Sequence, residues 1–163
     1  MNALGADIAG VTTLRDARAH VATPVSVVTT ADRNGKAWGV TVGTLCSLSL
    51  APPLVMFSLD RSCGSHAVMT TTSRILIHVL RDDQPAVAAR FSRTGIDRFA
   101  GLSGSWHDLP TIPDTRLRLA CTRYEVVPAG DHTIVMCLVQ DAEIGTGDPL
   151  LYYLREYCSP SCI

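Results

Sequence analysis

The chain has 163 residues, enough for one domain with a real hydrophobic core. Apolar residues supply 47% and charged residues 18%, the balance of a globular chain rather than a disordered one. Fourteen Lys/Arg against fifteen Asp/Glu, scattered without a basic stripe, argue against a nucleic-acid partner, and no run approaches the ~18 consecutive apolar residues of a membrane span.

Met1 to Gly10 carries Asp7 and no basic flank, so it does not read as a secretory signal. The expected location is cytoplasmic, with free thiols. Residues 1–23 read as an N-terminal extension, with Thr13 to Ala22 able to form a helix. Val25 to Thr30 is a β-branched run, and Asn34-Gly35 after it predicts a hairpin of type I′, whose two central residues need positive φ. Lys36 to Leu50 returns as one long strand, closed by Pro52-Pro53 because proline cannot donate to a sheet ladder. Leu54 to Leu59 and Ile75 to Leu80 are further strands, separated by a short helix over Ser65 to Thr72. Pro85 at a first-turn position, followed by Val87, Ala88 and Phe91, predicts a short amphipathic helix. Thr94 to Pro113 is a long loop holding Trp106 and His107, which either cover a pocket or pack locally. Leu117 to Val127, with Leu119 and Cys121 alternating against Arg118 and Thr122, then Thr133 to Val139 and Leu150 to Tyr157, bring the expected strands to about seven.

Many strands at short spacing with few helices predict a single mainly β domain over 1–163, an antiparallel barrel rather than a βαβ sheet. No Gly-x-Gly-x-x-Gly and no P-loop is present. Of the six cysteines, Cys46, Cys121 and Cys137 sit in apolar runs and are expected as small buried hydrophobes. Cys158 and Cys162, in the last six residues, lack zinc-knuckle spacing; the pair could form a disulfide or bind a metal, but terminal thiols of no special role and no metal are expected.

The unusual segment is Gly39 to Ser49. It is apolar enough for a buried strand, yet it carries glycines and small hydroxyls where a core strand carries branched residues. Gly39 and Gly43 leave room for something bulky, while Thr41, Thr44, Ser47 and Ser49 offer neutral hydrogen bonds. Asp60-Arg61-Ser62-Cys63-Gly64-Ser65-His66, at a strand-to-helix turn, is either a phosphate cradle or a plain surface turn. Arg90-Phe91 adds a cation and an aromatic face. Gly130-Asp131-His132 opens a strand, where the histidine binds a cofactor or caps the turn.

Taken in order, Trp38-Gly39-Val40-Thr41 through Pro52-Pro53, Asp60-Arg61-Ser62, Ile77 to Leu80, Arg90-Phe91 with Asp97-Arg98-Phe99, Gly130-Asp131-His132 and Pro149 to Tyr153 make the chain resemble the short-chain flavin reductases. These are the reductase partners of two-component flavin monooxygenases, and the resemblance runs from about Pro24 to Tyr157. It implies a dimeric, Greek-key, FMN-binding split β-barrel, with FMN or FAD as flavin and NADH or NADPH as hydride donor. By resemblance, Trp38, Gly39, Val40, Thr41, Gly43, Thr44 and Ser47 lie along the flavin, and Ser58, Leu59 and Asp60 continue that wall. Arg61, Ser62 and Ser65 fall near the phosphate, Arg90 and Phe91 form a further contact pair, and Tyr153 and Tyr157 belong to the aromatic C-terminal strand. His132 is implied as a nicotinamide-positioning residue, and no essential catalytic side chain is expected, because hydride transfer mainly needs two rings held at the right distance.

Three positions depart from the family pattern: His78 stands where asparagine is usual, Cys137 where glycine is common, and Leu154-Arg155-Glu156 where arginine-glycine follows the paired aromatics. His78 is expected as a hydrogen-bonded core histidine, with a flavin or partner contact as the alternative. The rival readings are a split-barrel flavoprotein acting on a small organic substrate, a non-catalytic flavin-binding protein, and a thiol or metal redox protein.

Overall fold

The computed structural model describes residues 11–162. The N-terminal stretch read above as lacking a secretory signal therefore lies outside the described residues, as does the side chain of Cys162. Twelve strands and three α-helices follow one another: α1 (Val11–Ala19), β1 (Thr23–Pro24), β2 (Ser26–Ala31), β3 (Ala37–Val42), β4 (Cys46–Leu50), β5 (Pro53–Asp60), α2 (His66–Thr71), β6 (Arg74–Val79), α3 (Pro85–Ser92), β7 (Ser105–Trp106), β8 (Leu109–Pro110), β9 (Leu117–Ala129), β10 (His132–Ile144), β11 (Leu151–Tyr153) and β12 (Glu156–Cys158). No helix among the described residues is long and apolar enough to cross a membrane.

Seven strands form one antiparallel sheet in the order β3-β2-β6-β9-β10-β5-β4. The segment expected as one strand, Lys36 to Leu50, is thus two strands at opposite edges, broken at Gly43–Leu45. Six inter-strand spacings in a flat sheet would separate those edges by roughly 29 Å. A link of three residues reaches at most roughly 15 Å, so the sheet curls until the two edges approach at that end. One core cluster accordingly takes side chains from both ends of the strand order: Val40 and Val42 from β3, Phe57 and Leu59 from β5, with Ile75, Ile77, Leu119 and Val135 between. The opposite face of β2 is covered by α3, where Val25, Val27, Ala88 and Phe91 pack with Ile112 and Leu150. Covered on both faces, β2 is buried almost throughout instead of alternating.

The β2–β3 hairpin forms, with a turn other than the expected one. Gly35 has φ +79° while Asn34 does not enter the left-handed region, and the Gly35 amide donates to Asp32 O at 2.9 Å. This is a three-residue loop closed by one left-handed glycine, pinned by the Asp32 carboxylate, which accepts the Asn34 and Lys36 amides and the Trp38 Nε1–H. Leu150 to Tyr157 also divides. Leu154 and Arg155 both turn left-handed, at φ 47° and 69°, to join β11 and β12. Cys46 is exposed on the β4 edge rather than buried, because β4 pairs only with β5 and turns its outer face to solvent. Cys121 and Cys137 are buried as expected, and burial raises the Cys137 thiol to about 12.

His78 is a core histidine. Its Nδ1–H donates to Val27 O at 3.1 Å, while Nε2 accepts from Thr111 Oγ1 at 3.0 Å and from the Ile112 amide at 3.3 Å. Burial pushes its pKa from 6.5 down to about 4, against the opposing pull of the Val27 carbonyl. Below pH 6.5 the unfolded chain takes up a proton that the folded chain refuses until about pH 4. Stability is therefore complete above pH 6.5 and falls through that window, by up to ~3 kcal/mol. Urea unfolding at pH 7 and pH 4.5 should show this loss, and His78→Asn should flatten it. An unchanged slope in the variant would locate the acid sensitivity elsewhere.

Candidate functional site

A cavity of about 550 Å³ opens between β3, the turn before α2 and the segment 94–99, bounded by Trp38, Gly39, Gly64, Ser65, Arg98 and Phe99. Its size suits a mononucleotide-sized ligand. Trp38 forms an aromatic wall, fixed by its indole N–H on Asp32 at 3.0 Å. That bond is the main cause of the Asp32 carboxyl lying below the usual range. Lys36 holds its ammonium 4.5 Å from the centre of the Trp38 ring. Ser65 is 1% exposed, and its hydroxyl accepts from Arg98 Nη1 at 3.1 Å. The same Nη1 donates to Gly39 O at 2.5 Å, and Arg98 Nε donates to Arg93 O at 2.7 Å. Arg98 thereby joins three chain segments at this cavity.

Of the residues picked from sequence, Trp38, Gly39 and Ser65 line the cavity. Others support it from behind. A Cβ on Gly39 would lie 2.5 Å from Phe91 Cε1, so the space beside this glycine belongs to the Phe91 ring. Phe91 is fully buried and meets Phe99 edge-on at 5.1 Å. The Thr41 hydroxyl is spent on Ala88 O at 2.7 Å, which ties β3 to α3. Val40 and Leu59 point into the core. Arg90 donates to Asp97 O at 3.4 Å and to Ala100 O, holding the cavity's outer wall in place. Thr44 Oγ1 accepts the Ser58 amide at 2.8 Å and its hydroxyl at 3.1 Å, stitching the Gly43–Leu45 link to β5. Ser47 is exposed on β4.

Two further groups stand apart. Asp60, Arg61 and Ser62 form an exposed turn in which the Ser62 hydroxyl and amide both bind Asp60 Oδ1 at 2.7 Å, holding that carboxyl below its ordinary range. His132 pairs with Asp60 across the β5–β10 ladder, and the Arg61 amide donates to Asp131 O at 3.0 Å, so the turn and the Gly130-Asp131-His132 motif form one surface. His132 Nδ1 meets Asp131 Oδ1 at 2.7 Å. Tyr153 and Tyr157 lie on the small β1-β11-β12 sheet, away from the cavity lining.

Sequence reasoning passed over Lys36 and gave Arg98 and Phe99 no role, while Gly64 of the candidate phosphate cradle does line the cavity. Asp97-Arg98-Phe99 was visible as a short charged-aromatic run, but only the fold brings it against Gly39. Trp106 packs locally, with the Arg118 guanidinium 4.7 Å from its ring, and the cavity is covered by residues 94–99 instead. A second cavity of about 340 Å³ is lined by Arg81, Asp114, Thr115, Arg118, Glu143 and Thr146. Its guanidiniums are already neutralised, Arg81 by Asp83 and Arg118 by Glu143. No cluster of metal-ligating side chains exists among the described residues.

An antiparallel sheet curled on its own core thus carries a cavity that joins an aromatic wall to a guanidinium with no ion-pair partner among the described residues. Residues 18–161 match the flavin reductase like domain, and the chain belongs to that family. It is 40% identical over 159 residues to the NADH:riboflavin 5′-phosphate oxidoreductase of Streptomyces pristinaespiralis, covering 93% of this chain and 89% of that protein. It is 34% identical over 149 residues to the actinorhodin polyketide dimerase of Streptomyces coelicolor, covering 90% and 84%. The crystal structure of nitrilotriacetate monooxygenase component B from Mycobacterium thermoresistibile superposes with a TM-score of 0.85 at 29% identity, over 91% of this chain and 85% of that one.

The packing at Gly39 gives a direct test. Gly39→Ala forces its methyl into the Phe91 ring and should destabilise the protein by about 1–3 kcal/mol. Gly43→Ala, whose methyl would meet Thr23 Oγ1 at 3.4 Å, should cost clearly less. Urea unfolding of the two variants checks the order.

Proposed function

We propose that the protein is an NAD(P)H-dependent flavin reductase that binds FMN, or FAD, in the Trp38–Phe99 cavity and passes reduced flavin to a partner monooxygenase. The observation that carries the reading is the cavity itself: about 550 Å³, walled by Trp38 and closed by the Arg98–Ser65–Gly39 contacts, in a chain of the flavin reductase family. The relative acting on riboflavin 5′-phosphate with NADH supports FMN and NADH, and the monooxygenase component B supports an oxygenase partner. The residues fit a flavin: an aromatic face, hydroxyl and backbone groups beside it, and a guanidinium, that of Arg98, with no ion-pair partner among the described residues.

The curled sheet, whose edges β3 and β4 meet at Gly43–Leu45, reads as a split barrel. The outer face of β4, with Leu48 and Leu50 at 44% and 90% exposure, reads as the surface a second copy covers in a homodimer. A bound flavin supplies two-electron redox chemistry, accepting hydride from the nicotinamide. The protein's own part is to hold and to shield. Trp38 and the backbone of β3 fix one ring, the segment 94–99 excludes water, and His132, half-exposed at the end of β5–β10, orients the nicotinamide. Asp97 lines the cavity, but its Oδ1 is committed to the Phe99 amide at 3.0 Å. The reading asks no side chain to act as a general base, because hydride transfer needs mainly the two rings held at the right distance.

A second reading, a flavoprotein performing a redox step on an organic biosynthetic substrate, is favoured by the 34% identity to the polyketide dimerase. Purified protein mixed with NADH or NADPH and FMN or FAD separates the two. The reductase reading expects accelerated loss of nicotinamide absorbance with at least one pairing, and none with any pairing would sink it. His132→Ala should raise KM for the nicotinamide while kcat falls by less than the roughly 100-fold that marks a lost general acid or base.

A further inference from the structure

We infer that Arg98 recognises the phosphate ester of the nucleotide seated in the Trp38–Phe99 cavity, an assignment that rests on the flavin-reductase reading and adds to it a named anchor. The guanidinium lines the cavity and is partly buried. Nε and Nη1 bond only to neutral oxygens, those of Arg93, Gly39 and Ser65. Nη2 has no hydrogen-bond partner among the described residues, and no described carboxylate lies within ion-pair distance of Arg98. A partly desolvated cation without a counter-charge is costly to hold, and three hydrogen bonds fix it in place all the same.

The other candidates lack this combination. Arg90 is turned to the carbonyls of Asp97 and Ala100. Arg61 is exposed at the Asp60 turn, outside the cavity lining. Lys36 rests over the Trp38 ring. In the smaller cavity, Arg81 and Arg118 each already face a carboxylate. Arg98 alone among them presents free N–H donors and an uncompensated charge to a nucleotide-sized space. With Nε and Nη1 spent on the protein, Nη2 keeps two N–H donors for a phosphate oxygen, held in a fixed direction that a flexible lysine ammonium does not reproduce.

The phosphate has two chemical sources, the 5′-phosphate of a flavin mononucleotide and the pyrophosphate of the nicotinamide dinucleotide. Equilibrium binding tells them apart when each nucleotide is compared with its phosphate-free counterpart: FMN with riboflavin, by flavin fluorescence, and reduced nicotinamide mononucleotide, carrying the nicotinamide-side phosphate of NADH, with dihydronicotinamide riboside, by calorimetry. In the unsubstituted protein at least one nucleotide should bind about tenfold or more tightly than its counterpart, and Arg98→Gln should bring that ratio close to one while the phosphate-free ligand binds as before. Arg98→Lys should restore part of the ratio, and inorganic phosphate should weaken binding of the nucleotide but not of its counterpart. Collapse of the flavin ratio assigns the flavin phosphate, and collapse of the nicotinamide ratio assigns the pyrophosphate. Ratios that survive Arg98→Gln, or equal losses for nucleotide and counterpart, make Arg98 a structural clasp and overturn the inference alone. Failure of all four ligands to bind the unsubstituted protein overturns the flavin reading, and the inference with it.

Discussion

The short link Gly43–Leu45 is the constraint from which the rest follows. It ties the two edge strands of a seven-stranded sheet, and a link that short is incompatible with a flat sheet. Thr44 secures it by receiving both the amide and the hydroxyl of Ser58. Curling places Val40 and Val42 in the same core as Phe57 and Leu59, and it turns Gly39 and Thr41 outward against α3. There Phe91 fills the space beside Gly39, and Phe99 packs on Phe91. The segment 94–99 is thus laid over β3, and the cavity is what remains between them.

The hydroxyls that make Gly39–Ser49 conspicuous in the sequence are largely used within the fold. Thr41 binds α3 and Thr44 binds β5. Composition signalled correctly that this strand was unusual, but it did not distinguish a hydroxyl meant for a ligand from one that replaces a ladder bond. The same limit applies to Gly39, whose missing side chain accommodates a phenylalanine 52 positions further along the chain, a contact no local pattern reveals. Strand existence was legible wherever β-branched or alternating runs met turn residues, as in β2, β5, β6 and β9. Strand breaks were not: Gly43 stands in a run of small residues that also contains Gly39, which sits inside a strand, and Leu154-Arg155 lacks turn residues, so both breaks are set by tertiary geometry.

Electrostatics divides the surface in a way that sequence counts hide. Net charge is near zero and the two guanidiniums of the second cavity, Arg81 and Arg118, are paired, which sets the unpaired Arg98 apart from them. Asp60, Ser62, Asp131 and His132, far apart in sequence, converge because β5 and β10 are ladder neighbours. That polar rim and the Trp38 cavity are separate features joined by the turn Asp60–Ser65. On the proposed reading the cavity takes the flavin, and this more open margin takes the nicotinamide donor, which must leave after each turnover.

The most direct test of the central claim is hydrogen–deuterium exchange of the full-length protein with and without saturating FMN. Protection should concentrate in peptides covering Lys36 to Gly39, Gly64-Ser65 and Thr94 to Phe99, with no change around Thr115, Arg118 and Glu143. Protection at the latter group instead, or flavin bound with the first group unprotected, would contradict the account.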